Sequence, residues 1–91
     1  MSLTEEKSIQ SFRQALENNY TWPSTYTFKF IVPCQNIDLV LKLFEKKDDI
    51  KIRESRNGRY ISVTAKSKVF SSEEVIEVYK SAAQINGVIS L

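Results

Sequence analysis

The chain has 91 residues, a formal net charge of +2, one cysteine, two glycines and no histidine. That length suits one domain with one core, which on folding buries about 60–70% of the unfolded surface. A single cysteine excludes an intrachain disulfide, the lack of histidine removes the common zinc sets and the Cys–His catalytic pair, and no apolar run approaches the ~20 residues of a membrane helix.

The first residues lack the basic and apolar regions of a secretory signal, so the expected location is the cytoplasm. Thr4 to Asn18 reads as a short helix. Thr4 is its N-cap, and Glu5 and Glu6 suit the positive first turn. Ile9, Phe12 and Leu16 form a thin apolar stripe. Asn18-Asn19 ends the helix, and Trp22-Pro23-Ser24 reads as a loop. Residues 1–24 thus form a helical segment and loop ahead of a domain over residues 25–91. Trp22 reads as a plug over a sheet edge, with ligand stacking as the other reading.

Thr25 to Val32 alternates as a strand. Tyr26, Phe28, Phe30 and Val32 share one face; Thr25, Thr27, Lys29 and Ile31 share the other. Pro33 ends it, because proline cannot donate to a ladder. Cys34 reads as a small residue at the strand end. Asn36 is expected to cap a helix with Ile37, Val40, Leu41 and Phe44 buried, Asp38 near the positive end, and Lys46 and Lys47 at the negative end.

Ile50 to Ser55 and Arg59 to Val69 form a hairpin around Asn57-Gly58. The expected turn has two residues and is of type I′, with positive φ at both. Arg53 then faces Ser62, Lys51 faces Thr64, Ile52 faces Val63 and Ile50 faces Ala65. Apolar pairs fall on one side and polar pairs on the other, a match that a one-residue slip would destroy. Arg56 opposes Arg59 at the tip, a repulsion that Glu54 relieves. Asp48-Asp49 reads as a turn. Ser71 and Glu74 have capping-box spacing, and Val75, Val78, Tyr79, Ala82 and Ala83 are expected to face the core. Asn86-Gly87 reads as a left-handed helix end, and Val88 to Leu91 as a last strand.

Strand, helix, strand, strand, helix, strand, with right-handed crossovers, predicts an α+β fold. It is a ferredoxin-like βαββαβ sandwich, a four-stranded antiparallel sheet with two helices on one face.

Three stretches carry a resemblance: Trp22-Pro23-Ser24-Thr25-Tyr26-Thr27-Phe28-Lys29, the run from Ser55 through Gly58, Tyr60 and Ser62 to Thr64, and the closing Val88-Ile89-Ser90-Leu91. They resemble the YbeD-like family of small bacterial proteins, over about Tyr20 to Leu91. The resemblance implies a ferredoxin-like fold similar to ACT-type regulatory domains, and it implies no known activity. The chain departs from the family pattern by its N-terminal helix-like segment and by Arg59 within the hairpin.

The open sheet face is expected to collect Thr27, Lys29, Lys51, Arg53, Tyr60, Ser62, Thr64, Lys66 and Lys68, five basic residues and no acidic one. The candidate binding residues are Lys29, Lys51, Arg53, Tyr60, Ser62 and Lys66. They suit an anion: a phosphate-bearing ligand, a nucleic acid or an acidic protein. The plainer reading is a solvated face whose lysines guard against aggregation. Tyr60 is the lone outward aromatic, so base stacking is not favoured and nucleic acid would be held by its backbone. No glycine-rich phosphate loop, metal set or nucleophile–base pair is present in the sequence. The expectation is a non-catalytic regulatory or interaction module without a cofactor. It acts through its open basic face or through a homodimer made at the edges of the second and last strands. Nucleic-acid or other polyanion binding is the alternative.

Overall fold

The computed structural model describes residues 6–45 and 48–91. The expected cap Thr4, with Glu5, Lys46 and Lys47, lies outside the described residues. The element order is α1 (Glu6–Asn19), β1 (Ser24–Pro33), a single 3-10 turn (Cys34–Asn36), α2 (Ile37–Leu41), β2 (Asp49–Glu54), β3 (Tyr60–Val69), α3 (Ser72–Ala83) and β4 (Ile89–Ser90). The strands form one open antiparallel sheet in the order β2-β3-β1-β4.

The alternation in β1 decides which face is covered. Phe28, Phe30 and Val32 are fully buried, while Thr25, Thr27 and Lys29 between them are exposed. Along β3 the alternation continues with Ile61, Val63, Ala65, Ser67 and Val69 buried. The helices cover this face, α2 against β1 and α3 against β3 and β4, while α1 lies on α3. Ile9 and Leu16 of α1 join the same core. Aromatic rings knit the layers: Tyr79 of α3 meets Phe12, Tyr26, Phe28 and Phe30, and Phe44 meets Phe28 and Phe30. The Tyr79 hydroxyl is 3.2 Å from that of Tyr26, and burial, reinforced by this contact, raises its pKa above the usual phenol value.

Several expectations are corrected. The hairpin pairs are those expected, Ile50 with Ala65 through Arg53 with Ser62. The turn is not type I′, because Gly58 has φ +72° and Asn57 is not left-handed. Four residues, 56–59, make the loop. Gly58 N donates to Ser55 O at 3.0 Å and Ser55 N to Tyr60 O at 2.8 Å. Both loops are centred between Asn57 and Gly58, so they give the same register. Ile52 is on the helix side opposite Val63 yet is 50% exposed, because the helix layer stops over β1, β3 and β4.

Asn36 occupies the N-cap position of α2 but makes no capping bond there; its side-chain amide donates to Asn86 O at 3.0 Å instead. In α3 the buried arc is Ser72, Val75, Ile76, Tyr79 and Ala82, while Ala83 is exposed. The i, i+3, i+4 pattern counted from Ser72 takes in Ile76, which counting from Val75 passes over. The Ser71 cap holds as expected: its Oγ accepts from Glu74 N at 3.3 Å. The Glu74 carboxylate reaches past it to accept from Phe70 N. Helix α3 ends at Ala83, so Gly87 belongs to the following turn and not to the helix cap.

Gly87 is fixed twice, by φ +79° and by contact: a Cβ there would lie 2.6 Å from Pro33 Cγ. Gly58 has the positive φ but open space around it. Gly58→Ala is therefore expected to cost about 1 kcal/mol and Gly87→Ala distinctly more, as Pro33 must shift. Urea unfolding of the two variants beside the wild type checks the order. Phe28→Ala, which empties the centre of the ring cluster, is expected to cost about 3–5 kcal/mol by the same measurement.

Candidate functional site

The uncovered face of the sheet is an ordered array set by the strand register. One row across the strands runs Ile89, Ile31, Ser62, Arg53; Lys29, Thr64 and Lys51 make the next; Thr27, Lys66 and Asp49 follow. Adjacent rows lie roughly 7 Å apart along the strands. Lys29, Lys51, Arg53, Tyr60 and Lys66 are exposed and Ser62 is half-buried, so the structure brings all six sequence-nominated residues onto one face. Lys68 extends the array past Lys66, with its ammonium 5.5 Å from the Phe70 ring centroid.

The face departs from expectation in three ways. It carries a carboxylate, since Asp49 opens β2 opposite Lys66. The reading of Asp48-Asp49 as a turn holds only for Asp48, which bends to accept from Glu45 N at 3.0 Å. At the β4 margin Ile31, expected on this face, gains an apolar neighbour that was not, the 52% exposed Ile89. This neighbourhood follows from strand order, which no local spacing displays. Thirdly, Arg56 belongs to the site: it joins Arg53, Tyr60, Ser62 and Ile31 around a depression of ≈ 320 Å³ beside the hairpin turn. As a turn residue it has no strand parity, so alternation could not place it.

Towards the turn Arg53 and Arg56 stand together, with Glu54 beside them. At the far end Asp49 offsets Lys66, and Asp48 and Asp49 share a shallow hollow with Lys66 and Lys68. No ion pair joins Lys29, Lys51, Arg53 or Lys66 to a described carboxylate.

Acidic residues gather on the other side. Glu45, Asp48, Glu73, Glu74 and Glu77 line a cleft of ≈ 380 Å³ beside the start of α3. Most are engaged within the chain. Glu73 takes Arg13 Nε at 2.6 Å, Glu74 takes Phe70 N, Asp48 takes Glu45 N, and Glu77 lies 3.9 Å from Lys80. Glu73 and Glu74 also meet the positive end of the helix dipole. Cys34 is exposed and free, and its amide ties the end of β1 to Arg59 O at 3.0 Å. Trp22 stacks on Tyr20 at 5.5 Å and donates to Glu17, which occupies one ring face within the chain. Among the described residues no helix is long and apolar enough to cross a membrane.

Residues 17–91 match the model of a family described as protein of unknown function, DUF493, which is consistent with the resemblance to the YbeD-like family. No curated protein and no solved structure matches the chain.

Neutralising Asp49, which stands opposite Lys66, tests the electrostatics of the face. Asp49→Asn is expected to tighten binding of a short anionic probe about two- to fivefold at low salt and to leave it unchanged at high salt. Fluorescence anisotropy with a labelled polyglutamate peptide measures both.

Proposed function

The chain belongs to the DUF493 family, and from that premise we propose that it is a non-catalytic, cytoplasmic regulatory module whose open sheet face docks an anionic partner. The observation that carries this reading is the set of exposed cations Lys29, Lys51, Arg53 and Lys66 on one face, none of them paired with a described carboxylate. The order β2-β3-β1-β4, read from the other edge as β4-β1-β3-β2, supports a ferredoxin-like sandwich similar to ACT-type regulatory domains. That likeness is one of fold, and it lends the regulatory reading support by analogy only.

Edge-to-edge dimerisation is the weaker route. The outer strand β2 alternates charge through Asp49, Lys51, Arg53 and Glu54, a pattern that guards an edge against pairing. The free edge of β4, on the side away from β1, offers two residues. Docking on the face needs neither edge.

The test is salt-dependent binding of two probes, an acidic peptide and a single-stranded oligonucleotide, to the full chain. The acidic peptide is expected to bind at low salt, with affinity falling steeply as salt rises, and the triple variant Lys29→Glu, Arg53→Glu, Lys66→Glu is expected to abolish it. No binding of either probe at low salt overturns the reading. Preferential binding of the oligonucleotide, with a log–log salt slope of about −0.7 per phosphate neutralised, replaces it with the nucleic-acid alternative.

A further inference from the structure

We propose that the depression beside the hairpin turn is a specific site for a phosphate monoester carried on a flat or apolar body. This rests on the reading of the sheet face as anion-binding and narrows it to one end of that face and one ligand class.

The depression is lined by Ile31, Arg53, Glu54, Arg56, Tyr60 and Ser62. Two guanidinium groups meet there, and neither is paired with Glu54 although that carboxylate shares the rim. Arginine, unlike the lysines farther along the face, offers a planar fork of donors that matches phosphate oxygens two at a time. Two forks left open at one depression suit a dianion better than a single carboxylate.

Hydroxyl donors complete the polar side. The Tyr60 hydroxyl has no hydrogen-bond partner among the described residues. Ser62 Oγ makes one long bond, to Arg53 O at 3.4 Å, and can exchange it for a ligand oxygen. The apolar side comes from Ile31 and from the ring of Tyr60, which is 46% exposed. A flat or apolar body lying over these two buries surface that is otherwise open to water.

The depression is also held in shape. Tyr60 N donates to Ser55 Oγ at 3.1 Å, and Ser55 Oγ donates to Asn57 Oδ1 at 3.1 Å. Asn57 Oδ1 accepts from Arg59 N as well, at 3.1 Å. This ring of bonds fixes the turn that presents Arg56 and the strand position that presents Tyr60. A fixed site loses less entropy when a ligand arrives. The lysines Lys66 and Lys68, at the far end of the face, have no such framework among the described residues, and the ring nearest Lys68, that of Phe70, lies 5.5 Å from its ammonium.

The probe is phenyl phosphate, compared with inorganic phosphate and with phenol, titrated into the full chain at low salt and followed by backbone amide NMR shifts. Phenyl phosphate is expected to give saturable shifts centred on Ser55, Arg56, Tyr60 and Ser62. Inorganic phosphate should bind more weakly at the same amides, and phenol should not saturate. The Arg53→Gln, Arg56→Gln variant is expected to lose about tenfold or more in affinity, and Lys66→Gln, Lys68→Gln less than about twofold. Retained amide dispersion shows that each variant is folded. Equal losses in the two variants, or no saturable shift with millimolar phenyl phosphate, overturn the site. Binding of the acidic peptide to the face would survive either result, which separates failure of this site from failure of the wider reading.

Discussion

The ladder between β1 and β3 is the constraint on which the rest of the molecule depends. Its ten consecutive pairs run from Ser24 with Val69 to Pro33 with Tyr60. A one-residue slip would turn every side chain of one strand to the opposite face. It would bring Lys29 under the helices and expel Phe28 and Phe30, which are fully buried. The same ladder therefore specifies the core and the charged face, and neither can be varied alone. The flanking strands add six and two residues to a sheet already defined by its centre.

Beyond that centre the helix layer thins. Helix α2 has five residues, β2 has no fully buried residue, and Ile52 stays half exposed. Such a margin has few apolar contacts to hold it, so its local stability comes from hydrogen bonds and turn geometry. The hairpin supplies them through Ser55, Asn57 and Gly58. The part of the chain that projects most charge is thus held by its own turn and not by the core.

How much of this was legible in the sequence follows from which interactions are local. Strand alternation, the Ser71–Glu74 capping signal and the hairpin register can all be read from spacing, and they hold. The turn type cannot, because a two-residue and a four-residue loop with one centre predict identical pairs. Ile52 lies opposite Val63 on the expected side yet stays half exposed, because parity names a side of the sheet and does not say how far the helices extend over it. Asn36 failed as a cap because its amide finds Asn86, fifty residues on, a partner no local rule contains. At the candidate face the six nominated residues were placed by parity alone. Asp49, Arg56 and the Ile31–Ile89 pair escaped it, the first by a strand beginning one residue early, the second by sitting in a turn, the third by depending on strand order.

Two general reasons place charge on a protein surface without any ligand, and they account for this molecule unequally. Helix ends attract opposite charge, which explains Glu73 and Glu74 at the start of α3. Edge strands carry charge to block unwanted pairing, which explains Lys51 and Arg53 on β2. Neither reason reaches Lys66 on β3, which is paired with Thr27 on one side and Asp49 on the other, or Lys29 on β1, which is paired with Thr64 and whose carbonyl accepts from Leu91 N at 2.9 Å on the other side. A sheet has little net dipole to favour cations on one of its faces. Threonine, which already occupies Thr27 and Thr64 on the same strands, satisfies solvent and strand preference without charge. Cations at inner positions leave a repulsion among themselves that a bound anion would relieve, and this residue of unexplained charge, more than the total, is what supports the proposal that the face docks an anion.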